Sequence, residues 1–457
     1  MKKSNIIIAI ALLTLSSCGL TKAYDRANYA INTEVYRADQ IAVAPDTVSF
    51  GQTPWRELFT DPYLQGLISK ALENNLDLHA AMLSVEQAEA QLRAAKLSFY
   101  PSFALAPSGT LASWDYAAPT KSYTLPVQAS WEADLFGTLR NAKRASQSIM
   151  LQSRNYQIAV QSRVIAGVAN SYYTLMMLDE QLQLTKETID LTKRTVELME
   201  ALKAFGQADE ASVLSARASY LSVQASVPQI ERQITSTENA LSLLLGEAPQ
   251  SIMRGKLYDQ QLPNHFPLGV PAQLLANRPD VFAAELKLAA SYYQAQTARA
   301  AFYPSLKVTA TAAWTNSMGV IVNPASLLAS AVASLTQPIF AKGQLRTNLR
   351  VSEAEQQKAF WAWQKSLLTA GSEVSNALAL YKASTERSAI EAQQIEALER
   401  NVELTQDLFA RGASKTYLEV VTAQQKLLAA QLAKITDDFQ RMQAVVNLYY
   451  ALGGGSN

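Results

Sequence analysis

The chain predicts a mainly α-helical protein with a β-barrel part and an internal tandem duplication. Two stretches of more than 60 residues hold no proline and are built from good helix formers. Two shorter regions alternate apolar and polar residues with a period of two, which is a strand pattern. Each feature occurs twice, 203 to 207 residues apart.

The first element is an export signal. Lys2 and Lys3 form a charged head, Ile6 to Leu15 an apolar run of ten residues, and Ser16-Ser17 lead into Cys18. This pattern resembles a bacterial lipobox. The resemblance implies cleavage before Cys18, diacylglycerol on its sulfur and an acyl chain on the new amino group. Gly19 follows where an aspartate would favour retention in the inner membrane, so the outer membrane is the implied address. The expected organisation is a signal peptide over 1–17, a lipidated segment over 18–60 and a first repeat over 61–250. A linker over 251–278, a second repeat over 279–453 and a tail over 454–457 follow.

Cys18 is the only cysteine, so the chain after cleavage is expected to form no disulfide and to offer no thiol ligand or nucleophile. His79 and His265 are the only histidines and stand far apart, so no metal site is expected. No GxSxG, HExxH, P-loop or GxGxxG motif occurs. With 40 basic and 39 acidic residues, no basic field recruits nucleic acid. No cofactor and no enzymatic activity are therefore expected.

Within each repeat the longest element is a helix. Lys143–Phe205 would span about 95 Å and Gly343–Arg411 about 104 Å at roughly 1.5 Å per residue. A compact domain has no need of such lengths. Leu175, Leu178, Leu182, Thr185, Ile189, Thr192, Val196 and Met199 alternate steps of three and four, the period of a coiled-coil seam. Met177, Leu184, Leu191 and Leu198 form a second stripe two positions away, about 200° around the helix. One helix with two seams suits a closed wall, although a solid bundle also fits. After the second turn Leu418, Val421, Leu428, Leu432, Ile435, Phe439, Met442, Val446 and Tyr449 keep the rhythm, broken at Gln425.

Strand pairs precede the long helices. Phe103–Trp114 and Tyr123–Phe136 flank a turn at 117–121, and Tyr303–Asn316 and Leu327–Phe340 flank one at 319–324. Tyr123, Leu125, Val127, Ala129 and Trp131 alternate with polar neighbours, as do Leu306, Val308, Ala310, Ala312 and Trp314. One apolar and one polar face suit lipid on one side and water on the other. Four strands with open edges cannot sit in hydrocarbon, because unpaired amides there cost several kcal/mol each. The strands must be pooled between chains, so an oligomer is expected.

The duplication is explicit. Phe99-Tyr100-Pro101-Ser102 recurs as Phe302-Tyr303-Pro304-Ser305, Phe136 matches Phe340, Leu139-Arg140 matches Leu345-Arg346, and Phe205 matches Phe409. Leu244-Leu245-Gly246 is echoed by Ala451-Leu452-Gly453.

Trp55-Arg56-Glu57-Leu58-Phe59, Asp61-Pro62, Ala71-Leu72 and Asn74-Asn75-Leu76 together resemble the opening of the TolC-like outer membrane factors, in their NodT-type lipoprotein branch. Leu274-Leu275-Ala276-Asn277-Arg278-Pro279-Asp280-Val281 with Ala284-Glu285 is similar to the signature that opens that family's second half. Gln337-Pro338-Ile339-Phe340 and Gly343 resemble the end of its last strand. The resemblance implies a homotrimer with a twelve-strand outer membrane barrel continued by a periplasmic α-barrel. It also implies outer membrane lipids around the strands, a periplasmic adaptor and an inner-membrane pump, commonly of the resistance-nodulation-division type.

By the same resemblance the helix-turn-helix tips are the docking end. Gly206, Gln207 and Asp209 lie in the first turn, and Arg411, Gly412 and Ser414 in the second. Acidic residues past the second turn line the closed pore in that family. Here Glu419 matches one acidic position and Thr422 stands where a second carboxylate is common, so the implied periplasmic gate is Glu419 with Thr422. Export of small molecules is the implied function. A duct for type I polypeptide secretion and a structural coiled-coil lipoprotein without a pore stay open, and the substrate is set largely by the pump.

Overall fold

A computed structural model describes residues 22–29, 50–113, 115, 117–263, 266, 278–316, 327–411 and 418–456. Cys18, His265, Leu274–Asn277, the turn at 319–324, Gly412 and Ser414 lie outside the described residues. Helices α1 (Trp55–Leu58), α2 (Pro62–Asn74) and α3 (Leu76–Leu97) are followed by strands β1 (Ser102–Leu105), β2 (Ser108–Ala112) and β3 (Thr120–Ala133). Then come α4 (Thr138–Ala204), α5 (Glu210–Leu244), α6 (Pro279–Ala300), β4 (Ser305–Asn316), β5 (Leu327–Thr336), α7 (Gln344–Ala410) and α8 (Leu418–Ala451).

Both long helices run 67 residues, about 100 Å at roughly 1.5 Å per residue. They begin after equivalent glycines, Gly137 at φ 82° and Gly343 at φ 80°, and the shorter helices end at Gly246 and Gly453, φ 70° and 83°. Only glycine enters the left-handed region without a steric penalty, so the repeat is written into the backbone as well as the sequence. Helix α5 continues through Pro228, whose missing N–H leaves the Gln224 carbonyl without its helical donor; nearby, the Ser226 hydroxyl donates to Val223 O at 2.6 Å.

The described chain forms two compact units. The first gathers the described residues of Met1–Ile31, Leu83–Asn155 and Phe282–Lys365; the second those of Asn32–Met82, Tyr156–Val281 and Ser366–Asn457. The sheet lies in the first unit. It is antiparallel throughout, in the order β1-β3-β4-β5, with β2 also paired to β3. The first strand, expected as one piece over 103–114, is interrupted at Ala106-Pro107. Pro107 has no N–H to give the ladder. Pro126 stands opposite the same gap, where its carbonyl accepts from Ala106 N at 3.3 Å. The last strand stops at Thr336, short of Pro338 and of the expected end at Phe340. Near Lys22–Tyr29, Tyr24 and Tyr29 stack at 5.6 Å, and Tyr29 packs on Phe360 at 5.5 Å.

The second unit holds the main apolar core. Trp55, Leu58, Phe59, Leu64 and Ile68 pack with Val168, Tyr172, Leu175, Met442, Val446 and Tyr449. Polar residues pin it. The Tyr172 hydroxyl donates to Asp61 at 2.7 Å and accepts from Gly255 N at 3.0 Å, and Asp61 caps α2 with Pro62 as its first residue. Arg278 is buried and reaches Asp280 and Glu373 at 2.7 and 2.5 Å and the Ala451 carbonyl at 3.2 Å. Asn75 donates to Leu244 O and accepts from Leu78 N. Family-like motifs therefore act here as helix caps and core ties.

Candidate functional site

The sheet presents two chemically distinct faces. Residues opposite one another in an antiparallel pair share a face. The register sets Leu125 against Trp314, Val127 against Ala312, Ala129 against Ala310 and Trp131 against Val308. It then sets Leu306 against Leu335, Val308 against Ala333 and Ala310 against Ala331. Phe103 and Leu105 join through Ala129 and Val127. Between Trp131 and Leu125 that face is apolar, and towards its far end it reaches Lys121 and the position of Asn316. The other carries Ser122, Thr124, Gln128, Ser130, Glu132, Lys307, Thr309 and Thr311. Phe103, Leu105, Leu111 and Leu335 are each more than 60% exposed, so nothing among the described residues covers the apolar face there. Tyr123 and Trp131 lie eight residues apart, about 27 Å at roughly 3.4 Å per residue, with small apolar residues between. Tilted near 40°, the segment rises about 21 Å, a little under the roughly 25 Å apolar band that aromatic girdles bound. Among the described residues no helix is long and apolar enough to cross a membrane.

The first long helix, α4, carries the expected seam. Leu175, Leu178, Thr185, Thr192 and Met199 are buried, with Leu182, Ile189 and Val196 half-buried between them. Buried threonines are tolerated because each hydroxyl donates to the carbonyl four residues back, Thr185 to Gln181 and Thr192 to Thr188. Along the second stripe Met177 and Leu184 pack against the core, whereas Leu191 and Leu198 are 43% and 50% exposed. The chain leaves that part of its second seam open.

The turns are built differently. After α4, Gly206 takes φ 74°, and Gly206 and Gln207 donate to Lys203 O and Leu202 O, both at 2.9 Å, a glycine-terminated helix end. Asp209 caps α5 by accepting from Ser212 N at 2.8 Å, and hydrogen bonds from Ser212 hold its carboxyl below the usual range. Lys203 pairs with Glu210 across the turn. In the second turn the exposed Arg411 forks onto Asp407 at 2.8 and 2.9 Å. Beneath both, Met199, Val213, Ala216, Val420 and Val421 form a small core with Val196, Leu202 and Phe409.

Glu419 and Thr422 are both exposed on the first turn of α8, and the Thr422 hydroxyl donates to Leu418 O at 2.7 Å. The buried face of that turn is Val420, Val421, Ala423 and Gln424, and Leu418 is 60% exposed. Leu418 is therefore not a seam residue, as the three-four spacing had it. The tip core meets α8 from the side of Val420 and Val421, which rotates Leu418 outward with Glu419 and Thr422. Gln425 is exposed and donates to Ser219 at 3.2 Å.

Sequence reasoning missed two features. Phe205 is 81% exposed, whereas its repeat partner Phe409 packs on the tip core; the match between them hid the difference. Glu391, Asp437 and Asp438 are buried between helices, where their charge read as solvent-facing.

An apolar sheet face, a long two-seamed helix and paired tips together define an outer membrane efflux channel. The model of the outer membrane efflux protein family matches residues 67–247 and 270–454, and the chain belongs to that family. The cation efflux system protein CusC of Escherichia coli O6:H1 is 29% identical over 456 residues, covering 97% of both chains. The solvent efflux pump outer membrane protein SrpC of Pseudomonas putida is also 29% identical, with 97% of each covered. A crystal structure of CusC superposes with a TM-score of 0.82 at 28% identity, covering 91% of this chain and 98% of that one. The open-state MtrE channel of Neisseria gonorrhoeae gives 0.81 at 25% identity, covering 94% and 99%.

Proposed function

We propose that three copies of this chain close into one conduit, the outer membrane component of a tripartite pump that exports small molecules. The observation that carries this reading is the sheet. Among the described residues it has an apolar face and two unpaired edges, the strand β5 and the broken strand β1/β2, and neither edge can face hydrocarbon unpaired. Three chains with four strand positions each close a ring of twelve. The open stripe at Leu191 and Leu198 supplies a neighbour-facing seam for the helical wall.

In this assembly the tips with Gly206, Gln207, Asp209, Arg411, Gly412 and Ser414 meet a periplasmic adaptor, and Phe205 adds an exposed apolar anchor. The adaptor joins the channel to an inner-membrane pump, of the resistance-nodulation-division type. Diacylglycerol and an acyl chain on Cys18 anchor each chain in the outer membrane. The relatives' names support cations and organic solvents as cargo classes, with the pump selecting between them.

Glu419, on the exposed face of its turn, becomes a ring of three carboxylates with Thr422 beside it. Like charges in a constriction attract cations. The purified lipidated protein is expected to run as a trimer and to give small, cation-preferring conductance in planar bilayers. Glu419→Lys should abolish or reverse that preference, with Thr422→Ala close to wild type. A non-conducting monomer would sink the assembly, and unchanged selectivity in Glu419→Lys would move the gate elsewhere.

A further inference from the structure

Helices α7 and α8 meet through an acidic seam that the first repeat lacks. On α7, Ser384, Ser388 and Glu391 are buried; on α8, Asp437 and Asp438 are 0% and 4% exposed. The equivalent positions in α4 and α5 are Leu178, Leu182 and Thr185 with Ile230 and Glu231. The duplication thus supplies an internal control: one seam is largely apolar, and its twin holds three carboxylates.

These carboxylates are not equally served. Asp438 accepts from Ser388 at 2.8 Å and pairs with Lys434 at 2.6 Å, with Arg441 at 3.8 Å. Glu391 and Asp437 share a single base, Arg387, itself 59% exposed. Arg387 Nη2 lies 3.5 Å from Glu391, and its Nε lies 3.0 Å from Asp437 Oδ2, too poorly aligned to form a hydrogen bond. Glu391 Oε2 accepts no hydrogen bond. Two neighbouring buried carboxylates repel one another when both carry charge, and Glu391 also loses water in the seam. A proton shared between them removes that repulsion and makes a hydrogen bond from one helix to the other.

We propose that Glu391 and Asp437, bridged by Arg387, form a proton-operated clasp between α7 and α8 that tightens as pH falls and loosens as pH rises. Burial first, and then Asp437 beside it, hold the Glu391 carboxyl above the ordinary glutamate range. The packed pair therefore binds this proton more tightly than separated helices would. Packing is strongest below the ordinary glutamate value and is lost as pH rises through the raised one. The other charged groups are Lys434, Asp438 and Arg441 on α8. Beyond the two helices, the Lys434 ammonium lies over the Tyr258 ring at 5.9 Å, and burial first, then Asp438 and Glu180 of α4, push the Tyr258 hydroxyl up. The clasp would stiffen the helix pair when the surroundings acidify. It lies within one chain and goes beyond the trimer and gate of the proposed function, so an unaltered selectivity in Glu419→Lys leaves it standing.

The test is hydrogen exchange on the full lipidated chain in nanodiscs, from about pH 4, below the ordinary glutamate value, to about pH 8, corrected for intrinsic exchange. In the wild type, opening around 384–391 and 434–441 should rise severalfold across this window, by at most tenfold per pH unit for one proton. Glu391→Gln, isosteric and uncharged, should flatten the dependence, and Asp437→Asn should shrink it. A flat wild-type profile overturns the clasp, as does a slope that persists in Glu391→Gln. Should Glu391→Gln fold poorly, a wild-type slope in Asp437→Asn would overturn it equally.

Discussion

Gly206 and Gly246 share a left-handed backbone, yet substitution should separate them. Around Gly206 a methyl group would meet nothing within 4 Å, so Gly206→Ala adds only the backbone penalty, about 1 kcal/mol. At Gly246 the same methyl would stand 2.4 Å from Asn74 O, the end of α2 packed against the turn. Gly246→Ala therefore combines backbone strain with displacement of a neighbouring chain and should cost about 3 kcal/mol or more. Denaturant unfolding of the two variants checks this, and equal losses would mean the turn yields freely. Individual side chains also explain motif residues: Arg278 and Asp61 hold the core, and Asp209 caps a helix.

The strands and long helices were legible because their signals repeat many times over. A 67-residue helix averages out any single weak former, and the β3 and β4 alternation fixes which residues share a face before any pairing is known. Pairing of β3 with β4 was not legible, since residues almost two hundred positions apart choose each other through the ladder. Nor was the rotation of α8's first turn: spacing alone cannot tell Leu418 from Val421 when each begins a plausible stripe. The acidic seam was hidden for a related reason, because charge on a long helix ordinarily faces water. The sheet assignment carries its own test. Ala310 lies mid-strand on the apolar face, and its neighbour Thr311 on the polar one. Ala310→Lys should lower stability by about 2–4 kcal/mol in a bilayer, whereas Thr311→Lys should change it little. Urea unfolding from liposomes measures both, and a reversed order would turn the sheet inside out.

For the whole molecule, the decisive property is what one chain leaves unsatisfied. Met199 and Leu198 are adjacent on α4 yet differ sharply: Met199 is fully buried in the tip core, and Leu198 is half-exposed on the second stripe. Met199→Asp buries an unpaired carboxylate inside the chain at a cost of about 3–5 kcal/mol, so it should damage folding itself. Leu198→Asp touches only open surface within the chain, where such changes usually stay within about 0.5 kcal/mol. In a closed wall, however, it would place three charges against neighbouring helices. The chain should then keep its helical signal by circular dichroism while the trimer fraction in detergent falls severalfold. Separation of folding from assembly in this one pair of residues would mean that the wall is made between chains. Wild-type trimer yield from Leu198→Asp would mean that the exposed stripe faces water instead, and the two-seam argument for a closed wall would fail with it.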